Sequence, residues 1–573
     1  MGRRGRPADP PVPRHRQARV GDVTGDVSAS MTADVVIVGA GHNGLICAAY
    51  LARAGLDVTV VEQRDVPGGA LMWSDWNGHL LEHGAVEHTA VLTSGVIDEL
   101  ALADHGLSYS TRDVAAVHLF GDGTQVTIGR TVEETAASIA AVSAADARAW
   151  TELSELSAPL QRAFAIASDG WVPSRRVATR VARTLGGRHA DALVDLSQMS
   201  VLDLAMRWFE SPHMRALAVF RASFLGLPPW SPGTANALML TTGGHGRRLG
   251  RPVGGSRAFV AALTGAVTSN GGDVRCGFRV AAVERHGSAW SVRSTSGDRV
   301  GARRAVVSAI PPHDFVLRLL VPPDVVPAPI RRRLEAIEVV TANVSQLTLA
   351  AALDTSACVP TFGDPDTDQS TLWLLPHPAA AVDSYTAISL GLVPPSPGTL
   401  VAFPTTADPR LAPDGRATMW ANAVAARDVR PRSSELAAGD ASEGIWRTIG
   451  ACLPDLRQHV VHEVLTDPSD LTATTGADNP GNHLAPIPSQ TLGHRPARGM
   501  GNYATPIDGI FVTGAGTHPG GGINGASGRA CAHAVLRSIG SARTRRRLGR
   551  VASVARQVGA AITAARDVRT HTP

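Results

Sequence analysis

Lysine is missing altogether: all 54 basic residues are arginine. No side-chain amine is therefore present to form a Schiff base or to act as a general base. In a chain with 58 Gly and 38 Pro, GC-rich coding accounts for this better than any physical demand. Cysteine is scarce and scattered. Cys47, Cys276, Cys358, Cys452 and Cys531 form no C-x-x-C pair, so neither a zinc site nor a redox dithiol is indicated. An odd number without a secretion signal fits a reducing compartment, and a cytoplasmic location is expected. Arg3-Arg4 is not followed by an apolar stretch, so twin-arginine export is not indicated. No run of about 18 apolar residues occurs, and no membrane span is expected.

A basic surface is lacking where nucleic acid would need it. The net charge of +4 sits at the ends: 1–33 holds six Arg and three Asp, and 537–573 nine Arg and one Asp. The body, 34–536, is left at −7, which offers no nucleic-acid groove. Hydrophobic content of 44% and charged content of 18% describe a soluble globular chain. Its length allows about three or four domain-sized units.

What is present is organised around 34–62. Asp34–Val38 has the β-branched composition of a buried parallel strand. Gly39-Ala40-Gly41-His42-Asn43-Gly44 follows as G-x-G-x-x-G. Leu45–Ala54 reads as a helix and Val58–Val61 as a second strand ending in Glu62. In this order the glycines allow a tight turn, close approach of a pyrophosphate and close helix–strand packing. The helix N-terminus supplies free N–H groups to that anion. Glu62 suits a ribose 2′-hydroxyl rather than a 2′-phosphate. Gln63-Arg64 and Gly68-Gly69-Ala70 come next, and the glycine pair permits a second close backbone approach. His83 and His88 lack the acid or cysteine companions of a metal site and read as structural or pocket-lining; no metal is expected.

Thr131–Met206 has helical spacing, notably Val132–Val142 and Ala145–Ala158, broken at Pro173 and Gly186-Gly187. A helix is expected over Ala258–Thr268. Strands are expected at Asp273–Cys276, Val280–Arg285, Trp290–Thr295, from Asp298, and at Ala305–Ala309. Further strands are read at Glu338–Ala351, Thr371–Leu375, Thr418–Ala425 and His459–Leu465, with a helix at Gly444–Cys452. Pro360–Pro409 reads largely as loop. Ile510–Thr513 is a buried strand, followed by Gly514-Ala515-Gly516, the loop His518-Pro519-Gly520-Gly521-Gly522-Ile523, and a helix from Asn524 to Leu536. A loop so poor in side chains can lie against a flat ring, with the helix N-terminus facing the ring's electron-rich edge. In the basic tail, Leu548, Val551, Ala555, Val558 and Ile562 recur at near-helical spacing; the two readings are a membrane-surface helix and a frayed Ala/Arg tail.

VIVGAGHNGL, EQRDVPGGA and GTHPGGGINGASGRA together resemble the FAD-dependent phytoene desaturase-like oxidoreductases, in the branch of pyridine nucleotide-disulfide oxidoreductase domain-containing protein 2. The resemblance spans about 32–536. It implies an α/β, two-dinucleotide-binding-domain flavoprotein with a discontinuous Rossmann-like FAD domain and an interleaved α+β substrate domain. The expected division is a disordered extension (1–33), FAD parts at 34–100, 241–315 and 496–536, substrate parts at 101–240 (mainly a helical cap) and 316–495, and the tail 537–573. Noncovalent FAD is implied. Its binding set is Gly39, Ala40, Gly41, Asn43 and Gly44; Glu62, Gln63, Arg64, Gly68, Gly69 and Ala70; Val280, near the adenine; and Gly514, Gly516, Pro519, Gly520, Gly521, Gly522 and Ile523. His518 is the candidate catalytic residue, with shaping of the loop as its alternative role. Expected chemistry is dehydrogenation of a hydrophobic, polyene- or lipid-like substrate by hydride transfer to flavin N5, with electrons passing on to oxygen, a quinone or another acceptor among which no sequence feature chooses. Redox-neutral isomerisation and a non-catalytic binding role are the alternatives. An amine oxidase using a flavin-adjacent Lys is disfavoured, because there is no Lys. Where relatives have Gly-Gly-Met-Gly this chain has Gly254-Gly255-Ser256-Arg257, so Arg257 is expected to bring charge near the cofactor or the pocket mouth.

Overall fold

Met31–Val38 is a central strand of the first sheet. It pairs in parallel with Val58–Val61 on one side and with Arg299–Ser308 on the other. Val35 and Ile37 enter one core, Val36 and Val38 another. Burial on both faces is why this strand is apolar throughout instead of alternating. The structure, a computed structural model, describes residues 31–169, 175–186, 190–223, 226–242, 249–339, 342–429, 434–476 and 490–540. The extension up to residue 30, Pro173, Gly187 and the tail from 541 lie outside the described residues. Met31–Ala33, assigned above to the extension, belong to the first strand.

Eight strands make the first sheet among the described residues. Val58–Val61 pairs with Asp273–Arg275. The meander Val280–His286 and Ala289–Ser294 runs antiparallel into the first half of Arg299–Ser308, whose second half pairs in parallel with Ile510–Val512. The two short strands expected from Asp298 and at Ala305–Ala309 are thus one. The charged pair Arg303-Arg304, which lies between those two expected strands, is a β-bulge: Ala33 faces Ala302 and Val35 faces Ala305. Both arginines therefore stand opposite Asp34, each Nε within 3.3 Å of its carboxylate. Leu320–Val321 joins the sheet beside Val280–His286, and Phe315, Val316, Ile330 and Leu334 pack into the same core. The expected boundary at 315 is therefore too early. The helices His42–Arg53, Ser256–Thr268 and Ala526–Ser538 cover the other face.

The second sheet runs in the order Val460–Thr466, Val344–Leu353, Ala417–Ala426, Thr399–Ala402, Leu372–Leu375, Ala116–Phe120, Gln125–Ile128. Its outer face packs on Ile445, Trp446 and Ile449 of the helix Ser434–Cys452. Trp373, Leu400 and Trp420 on its inner face meet a helical layer that includes Ala144–Asp169, Val201–Trp208 and Pro212–Ser223. Three expectations change. Ala116–Phe120 and Gln125–Ile128 are strands inside the segment read as mainly helical. The segment Pro360–Pro409 holds the helix Ala380–Ser389 and the strand Thr399–Ala402. The strand read from Glu338 begins at Val344.

The sheets are joined by the hairpin Trp73–Trp76/His79–Glu82, whose Leu81 packs on Ala350 and Ala352. The separate strand pair Tyr109–Arg112/Leu249–Pro252 is tied to the second sheet at Glu87. Its Oε1 takes Nη2 of Arg112 at 2.7 Å, Nη2 of Arg251 at 2.8 Å and the Thr371 hydroxyl at 2.6 Å. Burial pushes this carboxyl up, but Arg112, Arg251 and Thr371 outweigh it and hold it at about 2.

Candidate active site

Strand, glycine turn and helix lie where the G-x-G-x-x-G reading puts them. A Cβ on Gly44 would come within 2.2 Å of the Gly39 carbonyl, so only glycine lets the helix start this close to the strand end. The second glycine pair folds back onto the first turn. The Gly68 N–H donates to the Ala40 carbonyl at 2.9 Å. Gly69 has φ +60, and a Cβ on it would stand 2.8 Å from Cα of Gly41. These two backbones form a cradle with no room for side chains.

Glu62 ends its strand buried. Its Oε2 accepts the Ala40 amide at 2.8 Å and its Oε1 the Arg64 amide at 3.0 Å. Arg64 Nη1 in turn donates to the Gly69 carbonyl at 2.8 Å. The acid therefore fixes both turns while facing a cavity of about 340 Å³. Gly39, Gly41, Asn43 and Gly44 line that cavity, with Glu62, Gln63, Arg64, Gly69 and Ala70. So do Val280 from the meander and Gly514 and Gly516 from after the last strand. Three segments far apart in sequence thus form one cleft. Ala40 and Gly68 support it through backbone bonds without lining it, and Pro519–Ile523 are not among its walls.

The link to that last loop is a residue that the sequence reading passed over. His42, at the start of the first helix, lines the cavity. Its Nε2 and the Asn43 Nδ2 are 2.9 Å apart, and its ring is hydrogen-bonded to the backbone of Gly522. Burial pushes it down to about 4, against the opposing effect of Gly522, so it is neutral at neutral pH. Asn43 Oδ1 accepts the amide of Gly528 at 3.1 Å. A Cβ on Gly528 would come within 2.4 Å of the Asn43 carbonyl. The first turns of the opening and closing helices therefore touch, and the positive end of the opening helix, at His42–Gly44, faces the cleft. Ser527 secures the turn between, with its hydroxyl 2.9 Å from the Gly514 amide and 2.6 Å from the Thr517 hydroxyl.

His518 is buried. Its Nε2 lies 2.9 Å from the Ala167 carbonyl in the helix Ala144–Asp169, and its own carbonyl accepts the Tyr503 hydroxyl at 2.9 Å. A carbonyl only accepts, so Nε2 carries the hydrogen and Nδ1 is the acceptor nitrogen. Burial lowers its pKa, as does the Arg495 guanidinium, against the Ala167 carbonyl. It is not among the residues lining the cavity. Arg257 does not bring charge there either: it is half exposed and reaches Asp75 at 3.4 Å. His88 bonds Tyr109 and Ser256, and His83 bonds Ser74, so both serve structure. No group of three or more potential metal ligands occurs among the described residues, and no helix among them is long and apolar enough to cross a membrane.

The cleft suits an extended dinucleotide. A buried acid faces it, a glycine cradle closed to any Cβ forms part of its wall, and the N-terminus of the opening helix points at it. On an open sheet with a meander insertion, and with a second sheet interleaved, this defines a two-domain flavoprotein with an FAD site. Residues 44–536 match the flavin containing amine oxidoreductase family, and the chain belongs to it as an FAD-dependent oxidoreductase. It is 25% identical over 556 residues to pyridine nucleotide-disulfide oxidoreductase domain-containing protein 2 of Rattus norvegicus, covering 88% of this chain and 94% of the relative. It is 26% identical over 526 residues to a phytoene dehydrogenase of Streptomyces griseus, covering 85% and 92%. A solved putrescine oxidase bound to putrescine shares the fold, with a TM-score of 0.57 at 19% identity over 89% of this chain and 100% of the other.

Proposed function

We propose that this oxidoreductase dehydrogenates an apolar substrate of polyene type. The carrying observation is the combination of an amine-oxidoreductase fold with a chain that has no lysine. A flavin-adjacent lysine base is unavailable, so the family fold here serves a substrate that does not require one. Two further observations support the reading. The loop bearing His518 abuts the helical layer at Ala167, and that layer meets the second sheet through large apolar side chains, Trp150, Leu153, Phe209 and Phe220. A relative covered over most of its length is named for dehydrogenating phytoene.

Noncovalently bound FAD supplies the hydride acceptor, N5. The chain would hold it through the glycine cradle, Glu62 and the N-terminus of the opening helix. The apolar layer excludes water from the reacting carbon. His518, neutral and buried outside the cavity wall, would fix the loop through Ala167 and Tyr503, the shaping role set beside the catalytic one. The reduced cofactor would then need an electron acceptor, for which oxygen and a quinone are candidates. The test is anaerobic mixing of the oxidised holoenzyme with polyene hydrocarbons and, separately, with primary amines. Bleaching of the flavin band by a polyene and not by amines is expected. Bleaching by amines alone would refute the reading.

A further inference from the structure

The described residues contain four deeply buried arginines: Arg112, Arg221, Arg251 and Arg495. Two of them share the carboxylate of Glu87. Arg221 lies against the second sheet, 3.3 Å from His118 and 5.1 Å from the centre of the Trp373 ring. Arg495 differs in place. Its Nη2 and Nε donate to the Ala515 carbonyl at 2.9 and 3.3 Å, and its Nη1 to the Gln490 carbonyl at 3.3 Å. Ala515 and Gly516 line the cofactor cleft. A Cβ placed on Gly520 would come within 3.8 Å of Arg495 Nε. The guanidinium is thus clamped against the loop from Ala515 to Gly520, one residue's thickness from the cleft.

We propose that Arg495 is the fixed positive charge that poises the flavin for reduction, raising its potential by stabilising the negative charge of the reduced ring. A cation in a water-poor site acts at short range with little screening. Charge near the ring is one of the few ways a protein tunes this cofactor. In a chain without lysine, arginine is the residue left for the task, and its planar fork lets two carbonyls fix its position. Burial pulls Arg495 down to about 10, which leaves it charged at neutral pH. The same charge reaches the next turn of the loop, where it helps keep His518 neutral.

The test compares Arg495→Gln and Arg495→Lys with the wild-type holoenzyme. Sulfite is the probe, because its addition to N5 leaves negative charge on the ring. Arg495→Gln should bind sulfite at least about tenfold more weakly and show a lower flavin potential against redox dyes. Arg495→Lys, which keeps a charge but loses the planar fork, should fall between wild type and Arg495→Gln. An Arg495→Gln protein that retains FAD with unchanged sulfite affinity and potential would overturn the proposal. So would an Arg495→Lys protein as impaired as Arg495→Gln, since geometry rather than charge would then be responsible. Should Arg495→Gln not fold, Arg495→Met, which keeps an unbranched side chain without the charge, takes its place with the same two outcomes. No substrate enters these measurements, so they stand apart from the polyene reading.

Discussion

At the scale of single residues, Glu62 holds two turns by accepting the amides of Ala40 and Arg64, and it also faces the cleft. Glu62→Ala should weaken FAD binding by about tenfold or more, measured by fluorescence titration of the apoprotein. Retention of FAD through gel filtration with unchanged affinity would remove Glu62 from the site. Gly69→Ala should abolish FAD binding outright, because the new Cβ meets Gly41 at 2.8 Å in a left-handed backbone. The glycines and Glu62 could be read from the sequence because backbone geometry dictates residue type there. His42 and Arg495 could not. Any residue is tolerated at the fourth position of G-x-G-x-x-G, and the loop partner of His42 lies about 480 residues away in a contact that no local spacing encodes. Arg257 misled for the converse reason, since a charge beside a glycine pair says nothing about which way the side chain points.

At the scale of elements, the first turns of the opening and closing helices are joined by Asn43 Oδ1 and the Gly528 amide. Asn43→Ala leaves that buried amide unpaired and should cost about 2 kcal/mol of stability, with faster loss of FAD. Equilibrium denaturation of the holoprotein checks it; a stability equal to wild type would show the contact to be dispensable. Asp34 provides the contrast. Its partners Arg303 and Arg304 are half exposed, so Asp34→Ala should cost under about 1 kcal/mol in the same assay. Most strands of the first sheet were legible as short runs bounded by turn residues, but Arg299–Ser308 read as two because Arg303-Arg304 interrupts its apolar pattern, and the two-residue strand Leu320–Val321 gave no signal. The second sheet was less so. Gln125–Ile128 is only four residues long, and Thr399–Ala402 lies among prolines. Strands so short acquire their identity from neighbours contributed by other parts of the chain.

At the scale of the molecule, Glu87 ties the strand pair that carries Arg112 and Arg251 to the second sheet at Thr371. Glu87→Ala would strand Arg112 and Arg251 without their shared acid and should destabilise the protein by about 4 kcal/mol, seen as a lower thermal midpoint. Buried neutral histidines give the molecule a pH dependence. Burial pushes His88 down to about 3 and His533 to about 4. Below the ordinary value of 6.5 the unfolded chain binds protons that these folded rings refuse, so stability is level above about pH 7 and falls as the pH drops from 6.5 toward 4. A histidine held to about 4 can account for about 3 kcal/mol of that loss. His88→Asn should flatten the slope of denaturation midpoint against pH; an unaltered slope would exclude His88 as a contributor.

The chemistry proposed for the cleft is tested most directly by a single anaerobic turnover with a polyene substrate deuterated at the carbon that loses hydride. The flavin band should bleach, severalfold more slowly with the deuterated than with the protiated substrate, and the recovered product should carry one additional double bond. Product formed with no bleaching and no isotope effect would contradict hydride transfer to the flavin.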